Sequence, residues 1–214
     1  MQEIRLLNRR KSAIVFEESS KFPQESMKKL WKYIVVAAAL SAAIASAQTS
    51  SLDPALLAKA NAGDVAAQVL VGESYAAGKG VERDLKQAAE WYKKAADQGD
   101  LAGELHLAVL YRDGGKDFPR EITQAAEWYR KAAEQGDASA QATLGVLYSI
   151  GQGVAQNYVD AYFWLDLAAS VNGSKQDQYA ASRQLMGAHI TADEQAEAKE
   201  RAAKWLAAHP RPAE

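Results

Sequence analysis

The side chains capable of chemistry are few and badly placed for it. Three histidines, His106, His189 and His209, stand at no helical spacing from one another, so the sequence offers no i, i+4 pair for a zinc ion. The absence of cysteine removes thiolate ligands, a thiol nucleophile and disulfides together. Ser174 and Ser182 lack a Gly-x-Ser-x-Gly elbow and have no histidine at an informative spacing. Acidic pairs such as Glu90 with Asp97, or Asp193 with Glu194, do acid–base work only where their surroundings drive their pKa values apart. On charged helix surfaces such pairs are ordinary. His106 reads as a partly buried or surface histidine rather than a ligand. The glycine-rich stretches Gly78-Lys79-Gly80, Gly114-Gly115 and Gly151-Gln152-Gly153 follow helices instead of strands and lack the Lys-Ser/Thr ending of a phosphate cradle. No catalytic residue, metal site or cofactor site is therefore expected. One group remains: Trp91, Trp128 and Trp164, with Tyr92 and Tyr129, which have the chemistry of an aromatic ligand cage.

Their spacing argues against a cage. The segment 87–100, Gln-Ala-Ala-Glu-Trp-Tyr-Lys-Lys-Ala-Ala-Asp-Gln-Gly-Asp, recurs at 124–137 with two conservative changes, and 160–169 carries a fainter copy. The tryptophans at 91, 128 and 164 and the tyrosines at 75, 111 and 148 step by 36 or 37 residues. A period near 36 means a helix pair stacked on its neighbours, in which recurring aromatics are wedges between units.

Each unit opens with a helix, here helix A, over Val65 to Ala77, Leu101 to Asp113 and Ala138 to Ile150. Ala67, Val71 and Tyr75 lie four apart and share a core face, as do Gly103, Leu107, Tyr111 and Ala140, Leu144, Tyr148. Gly72, Ala108 and Gly145 are small at one equivalent position and admit close approach of the partner helix. Asp64, Asp100 and Asp137 are placed to cap each helix A. The sequences Ala140-Gln141-Ala142-Thr143-Leu144-Gly145-Val146-Leu147-Tyr148, then Gly151 to Val154, together with Ala88 to Gly99, resemble the Sel1-like repeat, a relative of the tetratricopeptide repeat. That resemblance implies an all-α, right-handed α-solenoid of three units at 61–99, 100–136 and 137–173. It also implies a non-catalytic scaffold or adaptor that binds another protein. Among exported members, regulators restraining a membrane sensor kinase are one alternative, and hydrolases, described among cysteine-rich relatives, a more distant one.

Both ends of the chain differ from the repeats. Residues 27–47 place Met-Lys-Lys-Leu-Trp-Lys before a 13-residue apolar run, Tyr33 to Ala45, and end on Ala45-Ser46-Ala47. This is the order of a secretory signal peptide, and the run is short of the roughly 20 residues of a membrane-spanning helix. Cleavage after Ala47 is expected to release a periplasmic or secreted monomer without stable membrane insertion. Residues 1–26 then form an extension ahead of a start at Met27, and Arg9-Arg10 is followed too closely by charge for a twin-arginine signal. Residues 1–47 hold eight Lys/Arg against four Asp/Glu, leaving 17 against 23 in 48–214. An acidic body without a basic stripe lacks the charge that dominates nucleic-acid affinity. Residues 48–60 form an N-terminal segment, and 174–214 reads as a helical cap. Its helices are expected over Lys175 to Met186 and Ala192 to Ala208, the second opened by a capping box from Thr191 to Glu194 and packing through Ala196, Ala203 and Leu206.

Binding is then expected on the face of helix A opposite the core, on the concave side of a solenoid. The positions opposite 67, 71 and 75 supply Val69, Glu73 and Ala76, then Leu105, Val109 and Arg112, then Ala142, Val146 and Ser149. Val69, Leu105, Val109 and Val146 would form an apolar strip, with Glu73 and Arg112 fixing the direction of a bound peptide or helix from an envelope protein. The competing occupants are the chain's own segment Ser51 to Lys59 and its C-terminal helix.

Overall fold

The computed structural model describes residues 51–171 and 173–210; the expected signal peptide at 27–47 and the extension at 1–26 lie outside them. Nine helices run through the described residues: α1 Pro54–Asn61, α2 Val65–Ala77, α3 Leu85–Ala96, α4 Leu101–Asp113, α5 Ile122–Glu134, α6 Ala138–Ile150, α7 Tyr158–Ala169, α8 Gln176–Gly187 and α9 Ala192–Ala208. Among them the β-type pairing recorded is an isolated bridge between Gly115 and Phe118, in the longer turn of the second unit. The fold is all-α and repetitive, with helices A and B of the three units being α2/α3, α4/α5 and α6/α7.

The bounds of α2, α4 and α6 coincide with those read from the sequence, because the punctuating residues act as their chemistry dictates. Asp64, Asp100 and Asp137 accept hydrogen bonds from the backbone N–H groups of Ala67, Gly103 and Ala140 at 2.8, 2.7 and 2.7 Å. Each such cap satisfies a donor the helix leaves free and contributes about 1 kcal/mol. At the far ends of α2 and α6, Gly78 and Gly151 take φ of +69° and +67°, a left-handed conformation that a side chain would strain.

Stacking buries the aromatics at the joints. Trp91, Trp128 and Trp164 are nine-tenths or more buried, and so are Tyr92 and Tyr129. Their burial requires the small residues opposite: a Cβ on Gly72 would lie 2.6 Å from the Tyr92 ring, and one on Gly145 would lie 2.8 Å from Leu165 Cγ. Each fully buried aliphatic or aromatic side chain stabilises the fold by roughly 1.5–3 kcal/mol, so the joints hold much of the energy of the stack. Lys94 and Lys131 place their Nζ atoms over the ring faces of Trp91 and Trp128, 3.5 and 3.7 Å from the ring centroids. These contacts shield the rings from the outside.

The ends are closed by different helices. At the first unit, α1 packs on α2, and Leu52, Leu56 and Leu57 surround Ala60, Ala67, Val71 and Trp91. At the third, α8 and α9 both pack against α7. The helix expected from Lys175 starts one residue later, with Lys175 as its N-cap and no side-chain capping bond. The capping box of α9 forms as read, Thr191 N–H donating to Glu194 Oε2 at 2.7 Å and Glu194 N–H to Thr191 Oγ1 at 3.2 Å. Its packing face needs correction: Ala196 and Ala203 are exposed, while Ala198 and Ala202 are buried with Trp205 and Leu206 beside them. The bulk of Trp205, reaching toward Gly136, and Arg201 against Phe163 and Asp160 set the rotation of the helix.

Candidate functional site

Burial on α2, α4 and α6 defines the surface they leave open. In α2 the buried positions are Ala67, Gln68, Val71 and Gly72. Gln68, which the sequence pattern did not place inside, together with Gly72 against the partner helix, turns the buried sector away from the axis set by 67, 71 and 75. The open row therefore runs through Leu70, Glu73 and Ala77, and through their equivalents His106, Val109 and Asp113 in α4 and Thr143, Val146 and Ile150 in α6. Leu70, Val109, Val146 and Ile150 are 49, 39, 46 and 53% exposed. They are four of the five large hydrophobics the described residues leave open, the fifth being Leu185.

The expected site residues divide accordingly. Glu73, Val109 and Val146 stand on the open row, whereas Val69 and Leu105 are half-buried against the core and belong to its packing. Ala142 is buried beneath Tyr179 and Met186 of α8, next to Leu165. The exposure expected of these three is thus corrected by the same rotation of the helices. Ser149 is half-buried, its hydroxyl donating to the Val146 carbonyl at 2.7 Å, and Ala76 packs against the core. Leu70 and Ile150 were missed; both become legible once Gly72 and Gly145 are counted as interior. Of the competing occupants, α1 lies over the first unit's core and the C-terminal helix α9 packs against α7, and Val109, Val146 and Ile150 remain open.

Charge on this face is arranged locally. Glu73 Oε1 lies 3.3 Å from His106 Nε2, and the His106 ring stacks on Tyr92 with centroids 4.7 Å apart. Burial, with a further push from the Glu73 carboxylate, raises the Tyr92 hydroxyl to about 12, so it keeps its proton and is no base at neutral pH. Arg112 donates to both carboxylate oxygens of Asp113 at 2.7 and 2.9 Å and to the Tyr129 hydroxyl at 2.9 Å. Its bond to Asp113 raises its own pKa and lowers that of Asp113. The charge of Arg112 is therefore matched within the protein, and the direction-fixing role expected of it is not supported by its partners. Among the described residues no three His, Asp or Glu side chains are grouped to hold a metal.

A second polar arrangement lies inside the stack. The fourth residue of each helix A is buried: Gln68, Glu104 and Gln141. Gln68 and Gln141 donate to the carbonyls of Ala60 and Ala133, eight residues back, at 3.2 and 3.1 Å. From the end of helix B, Gln98 donates to Gln68 Oε1 at 2.9 Å and Gln135 to Glu104 Oε2 at 2.8 Å. In the third unit Val171 occupies the place of these glutamines, seven residues after the tryptophan, and Gln141 Oε1 is buried without a hydrogen bond. Burial raises the pKa of Glu104, opposed by the bond from Gln135 and the charge of Lys131. This ladder joins units and faces no cleft, so it is structural.

Comparison with known proteins agrees with the repeat geometry. The family model described as "Sel1 repeat" matches residues 65–100, 102–137 and 138–172, half of the chain. Among solved structures, a Sel1 repeat protein from Oxalobacter formigenes is 36% identical with a TM-score of 0.52, over 57% of this chain and 49% of that one. The chain thus spans about half the length of that protein. A protective antigen of uropathogenic Escherichia coli displaying an SLR fold is 21% identical over 71% of this chain and 55% of that one, with a TM-score of 0.39. No curated protein matches.

Proposed function

The chain belongs to the Sel1 repeat family, and from that premise we propose that it is a non-catalytic adaptor of the cell envelope that holds a segment of another protein on the open face of its A helices. Proteins built of Sel1 repeats mediate protein–protein interaction in general. The observation that carries the reading here is that Leu70, Val109, Val146 and Ile150, apolar side chains on one row of the A helices, are left open while the aromatics at the joints are buried. Apolar rows of this kind are retained where a partner covers them. The placement in the periplasm or outside the cell, and action as a monomer, rest on the export-signal order of residues 27–47 and on the charged remainder of the surface.

Affinity capture with the tagged mature protein tests this. Val109→Asp combined with Val146→Asp is expected to lower recovery of a specific envelope partner at least fivefold while far-UV circular dichroism stays unchanged. Equal recovery with both variants in place would remove the face from consideration.

A further inference from the structure

The open face carries unlike charges at its two ends, and this bears on what can lie along it. At the first unit Glu73 is exposed and has no lysine or arginine partner among the described residues; its one close ionisable partner is the His106 ring. The middle presents Val109, Val146 and Ile150, and the one carboxylate on its row, Asp113, is paired with Arg112. At the far end a cleft of about 230 Å³ opens between α6 and the start of α8. Ser139, Thr143 and Val146 form one wall, and Lys175, Gln178 and Tyr179 the other. No Asp or Glu lines it. Lys175 has no ion pair, and the Tyr179 hydroxyl and Gln178 amide have no hydrogen bond among the described residues. This end therefore presents a cation and neutral donors in a body whose net charge over 48–214 is acidic.

We propose that the segment bound on this face is an extended peptide of another protein, with a basic side chain at Glu73, an apolar centre over Val109 and Val146, and an acidic side chain in the Lys175 cleft. The inference rests on the adaptor reading and adds to it the chemistry of the ligand. It replaces Arg112, whose charge is matched by Asp113, with Lys175 as the residue that fixes orientation. Helices pack about 10 Å apart, so α2 to the far side of α6 spans roughly 20–30 Å, or about six to nine residues of extended chain. Charge of this kind selects and orients a ligand more than it tightens it.

The test uses two acetylated, amidated heptapeptides, KSLSLSD and KSLSLSK, whose basic, apolar and terminal charged side chains share one face of an extended chain, titrated by NMR into the mature protein and into Lys175→Glu, an exposed substitution. An exposed ion pair is worth up to about 1 kcal/mol, or a factor of about five. The wild type is expected to bind KSLSLSD about fivefold more tightly, with shifts at Ser139, Thr143 and Gln178, and Lys175→Glu to reverse that preference. A preference unchanged by Lys175→Glu overturns the charge assignment. If both peptides then still bind and Val109→Asp abolishes them, the adaptor face stands and only its polarity fails. If neither peptide binds at millimolar concentration, the proposal fails outright.

Discussion

The joints and the open face of this repeat array are built at one sequence period and end in opposite conditions. At the joints, Trp91, Trp128 and Trp164 recur every 36 or 37 residues and are buried. On the face, Val109 and Val146 recur at one equivalent position, Leu70 and Ile150 stand at neighbouring positions of the same row, and all four stay open. Periodicity alone does not separate the two. Geometry does: the rings at the joint are enclosed by other helices of the chain, whereas Leu70, Val109, Val146 and Ile150 keep 39% or more of their surface open. Substitutions in the first region should be read out as stability, and in the second as binding.

That contrast is broken most severely by Trp128→Ala. Removing a buried aromatic from the joint of the central unit is expected to cost about 3–5 kcal/mol in urea denaturation. Gly145→Val comes next: its Cβ would meet Leu165 and the carbonyl of Ala161 at 2.8 and 3.1 Å, and a loss of about 1–3 kcal/mol is expected from overpacking. The double face variant Val109→Asp/Val146→Asp should shift stability by only about 0.5 kcal/mol, in keeping with exposed positions. A loss comparable to that of Trp128→Ala would place those residues in the core and end the contrast.

Finer effects belong to the buried ladder. Glu104 is an acid whose folded-state pKa is raised by burial, so it favours the fold below its unfolded pKa and loses that favour as pH rises through the raised value. Glu104→Gln should therefore stabilise the protein by about 1 kcal/mol at pH 7, with an added bond to the Ala96 carbonyl like that of Gln141 to Ala133. The gain should shrink toward pH 4. Val171→Gln should supply the donor that Gln141 Oε1 lacks and add about 0.5–1 kcal/mol, read as a higher denaturation midpoint.

The sequence made the architecture legible because helix bounds depend on local residues. Asp caps and terminal glycines mark α2, α4 and α6 to the residue, and the Thr191–Glu194 box marks α9. The candidate face was legible only in part, since its rotation depends on which small and polar residues go inside. Gly72 and Gln68 carry no hydrophobic signal, yet their burial turns Leu70 outward and Val69 inward. Arg112 has a partner that the repeat pattern does not announce: Asp113, next in sequence, accepts two hydrogen bonds from its guanidinium. Lys175 could not be found from periodicity, because the cleft it lines is made by the non-repeating helix α8.

The division between joint and face is tested most directly by site-specific photocrosslinking in the cell envelope. A benzophenone amino acid is placed singly at Val109 and Val146 on the open row, and at Glu90 and Glu127, exposed positions on the B helices. The account predicts that 109 and 146 crosslink to the same partner and that 90 and 127 do not. Crosslinks confined to 90 and 127 would contradict it.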